Sequence, residues 1–276
     1  MRLHFAKMHG LGNDFMIVDL VTQRADPHAE QIRAWADRRT GIGFDQFLEV
    51  LPPDDPDADF RYRIFNADGS EAEQCGNGAR CFARFVVDAG LTVKRDLDIQ
   101  TPTGRIRTRL LDSGDVEVDM GVPSTDPRDI PFVTECQASS YSIDVAGANV
   151  DLTPVSIGNP HAVLFVDDVR AADVDGIGRA LQSHDAFPDA VNVGFMEVVG
   201  RRLARLRVYE RGVGETLACG SGACAAMVAA RLHKRLDRRA KIALPGGELR
   251  LTWHGAGANV KISGPANLVF TGRVQL

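Results

Sequence analysis

Apolar and polar positions alternate in short runs over most of the chain. LHFAKM, FMIVDL, FRYRIF, LDIQT, RIRTRL, VEVDM, AVLFVDD, NVGFMEVV, RLRVYE, KIAL, ELRLTW and NVKIS each have the period-two or β-branched character of half-buried strands. Two stretches follow the helical period instead. One is PHAEQIRAWADRR (27–39), with Asp26 as its N-cap and Pro27 in the first turn; the other lies in DVRAADVDGIGRALQSH (168–184). Two more helices open at cysteines, CGNGARCFARFVVDAG (75–90) and CGSGACAAMVAARLHKR (219–235). The second is apolar around nearly its whole circumference from Ala223 to Ala230, so it needs an enclosed place. Each of these two helices is therefore expected to run through the middle of its own curled sheet. The turn-rich stretches are LPPDDPDAD (51–59), read as an acidic loop, and GVPSTDPRD (121–129), a candidate domain crossover.

The pattern also repeats. GLGNDFMIVD aligns with SIGNPHAVLFVDD, which pairs Asn13 with Asn159 at an offset of 146 residues. Gln46 and Asn192 recur at the same offset, while Cys75/Cys219 and Asn66/Glu210 recur at 144. Four landmarks in one order at nearly one spacing imply two homologous halves. A pseudo-two-fold relation between them brings the two cysteine motifs face to face.

Composition narrows the function classes. The chain has 276 residues, 44% of them hydrophobic, enough for one large core or two ordinary ones. A net charge of -5 with 25% charged residues is unlike a nucleic-acid binder. No apolar run reaches membrane-spanning length, and the first residues lack the apolar stretch of a secretory signal, so a cytoplasmic protein is expected. Five cysteines without such a signal argue against a disulfide framework, and the absence of Cys-x-x-Cys and His-x-x-x-His spacing argues against a metal site.

The chemistry then falls to Cys75 and Cys219. A thiol at a helix N-terminus meets unsatisfied N–H groups and a partial positive charge, which ease its ionisation. The glycines beside it let backbone donors close around a carboxylate. Two such ends facing each other suit proton removal from a carbon by one thiolate and proton delivery by a thiol on the other side. The stereocentre inverts with no cofactor. Cys81, Cys136 and Cys224 are read instead as small buried apolar residues.

HGLGNDF, GFDQ, FNADGSEAEQCGNGARC, IGNPHAV, VNVGF, YERGVGETLACGSGACAA and ISGPANLVFTGRVQL together resemble the diaminopimelate epimerase family over the whole chain. The resemblance implies an α+β fold of two pseudo-symmetric lobes, each a curled mixed β-sheet around a central helix. It divides the chain into 1–119 plus 266–276 and 120–265, with the active site in the cleft between the lobes. It implies a cofactor-independent interconversion of LL- and meso-2,6-diaminopimelate for lysine and peptidoglycan precursors. Cys75 and Cys219 are then the base and acid, and Gly76, Asn77, Gly220 and Ser221 donate to the reacting carboxylate. Asn13, Gln46 and Glu210 lie near the reacting amine, while Asn66, Asn159, Asn192 and Arg211 hold the distal end of the substrate. His161 and Glu210 tune the thiols, and a homodimer forms through a region including Phe270.

Plainer readings stand beside these roles. Asn13 and Asn159 follow glycines and suit left-handed turn positions. His161 suits a satisfied residue at a strand edge, Glu210 and Arg211 a solvated pair, and Asp68 and Glu215 loop and helix-entry structure. Two other activities share this fold: a two-cysteine racemase of the proline or hydroxyproline type, and a phenazine-biosynthesis-like isomerase. The first has no need of the Arg211/Asn set, and the second has no need of a cysteine on both faces. A thiol-sensing binding protein is the non-enzymatic alternative.

Overall fold

The computed structural model describes residues 2–72, 76–102, 104–145 and 147–276. They form two compact units, Met1–Asp119 with Ser263–Leu276, and Met120–Ile262. The first unit contains β1 (Arg2–Gly10), β2 (Asn13–Asp19), α1 (Ala29–Ala36), β3 (Gln46–Leu51), β4 (Phe60–Asn66), β5 (Glu71–Ala72), α2 (Gly76–Asp88), β6 (Asp96–Thr101), β7 (Gly104–Leu110) and β8 (Val116–Asp119). The second contains β9 (Tyr141–Val145), β10 (Ala148–Ser156), β11 (Pro160–Phe165), α3 (Val174–Gln182), β12 (Asn192–Gly200), β13 (Leu203–Glu210), β14 (Gly214–Thr216), α4 (Gly220–Leu232), β15 (Arg239–Leu244) and β16 (Gly247–Thr252). The chain returns to the first unit along β17 (Lys261–Gly264), and β18 (Asn267–Gln275) pairs antiparallel with β1.

The two units repeat one pairing scheme. In the first, β1–β2 is antiparallel, β2–β3 parallel, β3–β4 antiparallel and β4–β6 parallel, and a β6–β7 hairpin follows. In the second, β10–β11, β11–β12, β12–β13, β13–β15 and β15–β16 take the same directions in the same order. The registers correspond as well: Phe15 pairs with Gln46 as His161 pairs with Asn192. Sheet-dominated α+β architecture follows from this scheme.

Both cysteine-motif helices are sequestered. Every residue of α4 from Gly222 to Ala230 is buried, and the helix packs on β10, β11, β12, β13, β15 and β16. Its alanines allow this, because small side chains let strands approach the helix from all sides. Helix α2 packs on β1, β2, β3, β7 and β8 and buries Ala79, Cys81, Phe82, Ala83 and Val86. A smaller helix completes each unit. Trp35 and Ile32 of α1 close over Met16, Val18, Phe47 and Phe65, with the Trp35 and Phe47 ring centroids 6.0 Å apart. Phe15 and Ile17, also buried, take the alternate positions of β2 and point to the opposite face.

Several sequence expectations change. Helix α1 begins at Ala29 with His28 as N-cap, because the Gln31 Oε1 accepts the His28 N–H at 3.0 Å and sets the first turn there, after Asp26 and Pro27. It ends by Asp37, whose carboxylate accepts the N–H groups of Arg39 and Thr40 at 2.8 and 2.6 Å and turns the chain. Strands β3, β9 and β10 are not among the runs expected from the sequence, although β9 does alternate. β3 is buried on both faces, Glu49 included. β10 carries Pro154, tolerated where the strand has left β9 and Pro154 stands opposite Ala162 of β11. Cys136 is exposed rather than buried; it sits in a turn segment held by Thr134 and Tyr141.

Candidate active site

In the first unit, a two-residue turn joins β1 to β2. Leu11 and Gly12 take φ of 58° and 89°, the left-handed pair that matches the twist of a hairpin, and Asn13 then opens β2. The Asn13 amide donates to Asp45 Oδ2 at 3.0 Å, and Asn77 Nδ2 donates to Asn13 Oδ1 at 3.2 Å. Asp45 is itself held by Arg38, which also grips Asp14 through two bonds of 2.9 and 2.8 Å. Burial raises the Asp14 carboxyl, but the bonds and charges of Arg38 and Lys7 outweigh it and hold it at about 2. Gln46 and Asn66 face each other across β3 and β4, and Gln46 Nε2 donates to Asn66 Oδ1 at 3.1 Å. These two residues, expected at opposite ends of a substrate, are thus direct neighbours. Gly76 and Asn77 open α2; Asn77 is buried. Cys75 lies outside the described residues.

In the second unit, Cys219 is the N-cap of α4, with φ -113° and ψ 110°. Its Sγ accepts the Gly222 N–H at 3.4 Å and lies 3.6 Å from Ser221 Oγ. The expected ease of ionisation is not what this environment gives. Burial pushes the Cys219 thiol well up, the Glu210 charge adds to the rise, and the Ser221 and Gly222 bonds lower it by less. Desolvation of a thiolate outweighs the Ser221 and Gly222 donors, so this environment favours the thiol form.

A polar chain runs from Ser221. Asn159 Nδ2 donates to Ser221 Oγ at 3.5 Å, and Asn159 Oδ1 meets His161 Nε2 at 3.0 Å. A carbonyl oxygen only accepts, so Nε2 carries the proton and Nδ1 is bare. Among the described residues, Nδ1 is buried without a hydrogen-bond partner. His161 is not an edge residue: β11 lies between β10 and β12, and the ring is 1% exposed. Burial, with the Arg211 charge second, lowers its pKa to about 3. Asn192 opens β12, donates to Pro160 O at 2.8 Å and accepts the Arg211 N–H at 2.9 Å. The Arg211 guanidinium donates to Asp189 O at 3.1 Å. Glu210 accepts a short bond from Thr216 Oγ1.

The left-handed turn positions near the two asparagines belong to Leu11, Gly12 and Gly158 rather than to Asn13 or Asn159. Asp68 holds the Ser70 N–H and hydroxyl, and Glu215 pairs with Arg207 at 2.6 and 2.7 Å. Asp68 lies in the turn after β4, and Glu215 lies in β14 opposite Tyr209 rather than at a helix entry.

A family model described as diaminopimelate epimerase matches residues 5–125 and 153–269. Relatives named diaminopimelate epimerase from Stutzerimonas stutzeri (strain A1501) and Azotobacter vinelandii (strain DJ / ATCC BAA-1303) are 56% and 55% identical over 276 residues, covering all of both chains. The chain belongs to the diaminopimelate epimerase family. Among solved structures, a Bacillus anthracis phenazine biosynthesis protein of the PhzF family is similar at a TM-score of 0.73 and 17% identity, covering 100% of both chains. A hydroxyproline epimerase from Agrobacterium vitis is similar at 0.69 and 15% identity, covering 99% of this chain and 92% of that one. At these identities the two structures share the fold of the epimerase family and say nothing of its substrate.

Sequence reasoning missed Arg80, Asp45 and Thr216 at the candidate site of this family member. Arg80 had a signal: it is a permanent charge one turn into the helix, set between the apolar Ala79, Cys81 and Phe82. Asp45 and Thr216 had none, because their contacts join segments far apart in the chain or across a turn.

Proposed function

We propose that this chain is an isomerase that interconverts LL- and meso-2,6-diaminopimelate by proton transfer at one α-carbon between the thiols of Cys75 and Cys219. The carrying observation is the placement of Cys219: a buried thiol capping α4, its Sγ held by the Gly222 N–H. Such a group is poised to deliver a proton. The partner cysteine of the repeat, Cys75, is the base as its thiolate. It takes the α-proton, the electron pair left on carbon delocalises into the carboxylate, and Cys219 protonates the opposite face. The reaction ends with the charge on Cys219, and the reverse reaction uses the same pair in exchanged roles.

Gly76, Asn77, Gly220 and Ser221 supply the donors for that carboxylate. Asn13, Gln46 and Glu210 receive the adjacent ammonium, and Asn66, Asn159, Asn192 and Arg211 receive the distal amino-acid end. The bonds from Asn192 to Pro160 O and from Arg211 N to Asn192 support the last assignment, since they set two of its members rigidly. His161 and Glu210 tune the thiols: Glu210 raises Cys219, and neutral His161 anchors Asn159 beside Ser221. No cofactor takes part. The product serves lysine and peptidoglycan precursor synthesis, and the enzyme works in the cytoplasm. Among the described residues no helix is long and apolar enough to cross a membrane. Leu268, Val269 and Phe270 of β18 are 54%, 54% and 45% exposed, which supports a homodimer through that strand.

The test is deuterium incorporation. Reduced protein in deuterated water is expected to place deuterium at an α-carbon of LL-diaminopimelate with nothing else added. Cys75→Ala and Cys219→Ala each abolish inversion while the protein remains folded. A folded wild-type protein that exchanges no deuterium refutes the assignment.

A further inference from the structure

Arg80 has no part in the function described above, yet its surroundings are unusual. The guanidinium is 0% exposed. A permanent charge is rarely taken out of water unless several polar groups hold it. Arg80 Nη2 donates to Asn77 Oδ1 at 2.9 Å, and Nε donates to Pro265 O at 3.3 Å. Space for the fork comes from Gly10 at the end of β1, where a Cβ would stand 3.0 Å from Nη2 and 3.4 Å from the Asn77 backbone oxygen. A strand, a helix turn and the segment before β18 are all fitted to this one side chain.

The direction of each bond leading away from Arg80 is fixed. A guanidinium only donates, so the Asn77 carboxamide must turn its oxygen to Arg80 and its nitrogen away. That nitrogen donates to Asn13 Oδ1 at 3.2 Å. Asn13 in turn points its nitrogen at Asp45 Oδ2, 3.0 Å away, and a carboxylate only accepts. A donor-only group at one end and an acceptor-only group at the other leave the two amides between them one orientation. Without Arg80, Asn77 Oδ1 loses its charged donor, and the hydrogen bond by which Asn77 holds the Asn13 oxygen is anchored less firmly. An ammonium needs that oxygen as an acceptor, and a carbonyl oxygen can accept two hydrogen bonds.

We propose that Arg80 is a positioning residue that acts through Asn77 to fix the Asn13 carboxamide for the substrate ammonium. This inference rests on the proposed reaction, in which Asn13 receives the reacting amine. Arg80→Met keeps the length and removes the donors. Measured by deuterium exchange per folded molecule, it is expected to lower kcat/KM by about 10- to 100-fold, chiefly through a raised KM. In an Asn13→Ala background the same change is expected to cost less than about twofold, because the residue it positions is gone. Losses that instead multiply across the two sites, or a wild-type-like KM in Arg80→Met, overturn the proposal. If Arg80→Met does not fold, the cycle is run with Arg80→Lys, which keeps the buried charge and a donor. Its loss must again vanish in the Asn13→Ala background, and multiplication there overturns the proposal equally. Wild-type protein that exchanges no deuterium refutes the proposed reaction itself; an active wild type with multiplying losses refutes the role of Arg80 alone.

Discussion

Gly222 offers a way to disturb the Cys219 thiol without touching any group assigned to substrate. It is the third residue of α4 and donates its N–H to Sγ at 3.4 Å. A Cβ added there would lie 3.1 Å from Val208 Cγ2, 3.2 Å from Cys219 Sγ and 3.3 Å from Cys219 Cβ, so its neighbours must yield by a few tenths of an ångström. Overpacking of this mild kind costs about 1 kcal/mol, the low end for an inserted methyl group. Replacing glycine by alanine in a helix returns up to about 1 kcal/mol. The two nearly cancel, so Gly222→Ala should melt within about 4 °C of wild type. Activity has no such compensation. The sulfur is the atom displaced, and its N–H donor moves with the backbone. A misplacement near 1 Å can cost about 100-fold, and a few tenths of an ångström about 10-fold. The assay pairs a thermal melt with the deuterium-exchange rate per folded molecule. An unchanged melt with an exchange rate within twofold of wild type would show that Gly222 does not constrain the thiol. A melt lowered by 10 °C or more would refute the packing estimate.

Three further outcomes follow from the second unit. Asn192→Ala removes the donor to Pro160 O and the acceptor of the Arg211 N–H at a site 4% exposed, and should cost about 2 kcal/mol in denaturant unfolding; a loss below about 0.5 kcal/mol is incompatible with that role. His161 is held neutral down to about pH 3 in the fold while the unfolded chain takes up its proton near 6.5. Stability from this group is therefore complete above pH 6.5 and lost as pH falls toward 3, with a slope approaching about 1.4 kcal/mol per pH unit. His161→Gln should flatten that slope between pH 6 and 4, and an unchanged slope would exclude His161 as its source. Cys219, pushed up by burial and by Glu210, should resist iodoacetamide at pH 8 while exposed Cys136 reacts, and Glu210→Gln should speed its labelling; labelling of Cys219 as fast as Cys136 would mean the thiol is ionised.

The sequence by itself determined the strand-rich pattern, the internal repeat and the place of the cysteine at the head of α4. Each of these is written in local spacing: alternation fixes which side of a strand is apolar, and a Cys-Gly-x-Gly run ahead of an apolar stretch fixes a helix start. Tertiary structure alone decided the direction in which the Cys219 thiol is shifted, since the local N–H donor favours ionisation and only the surrounding burial and the distant Glu210 oppose it. It alone decided that Gln46 and Asn66 are neighbours, that His161 is enclosed between two strands, and that Pro154 falls where β10 has left β9. It also gave Arg80 its partners, Asn77 one turn back and Pro265 far along the chain. Charge, desolvation and hydrogen-bond direction depend on what the fold brings alongside a residue, and no local pattern of residues carries that information.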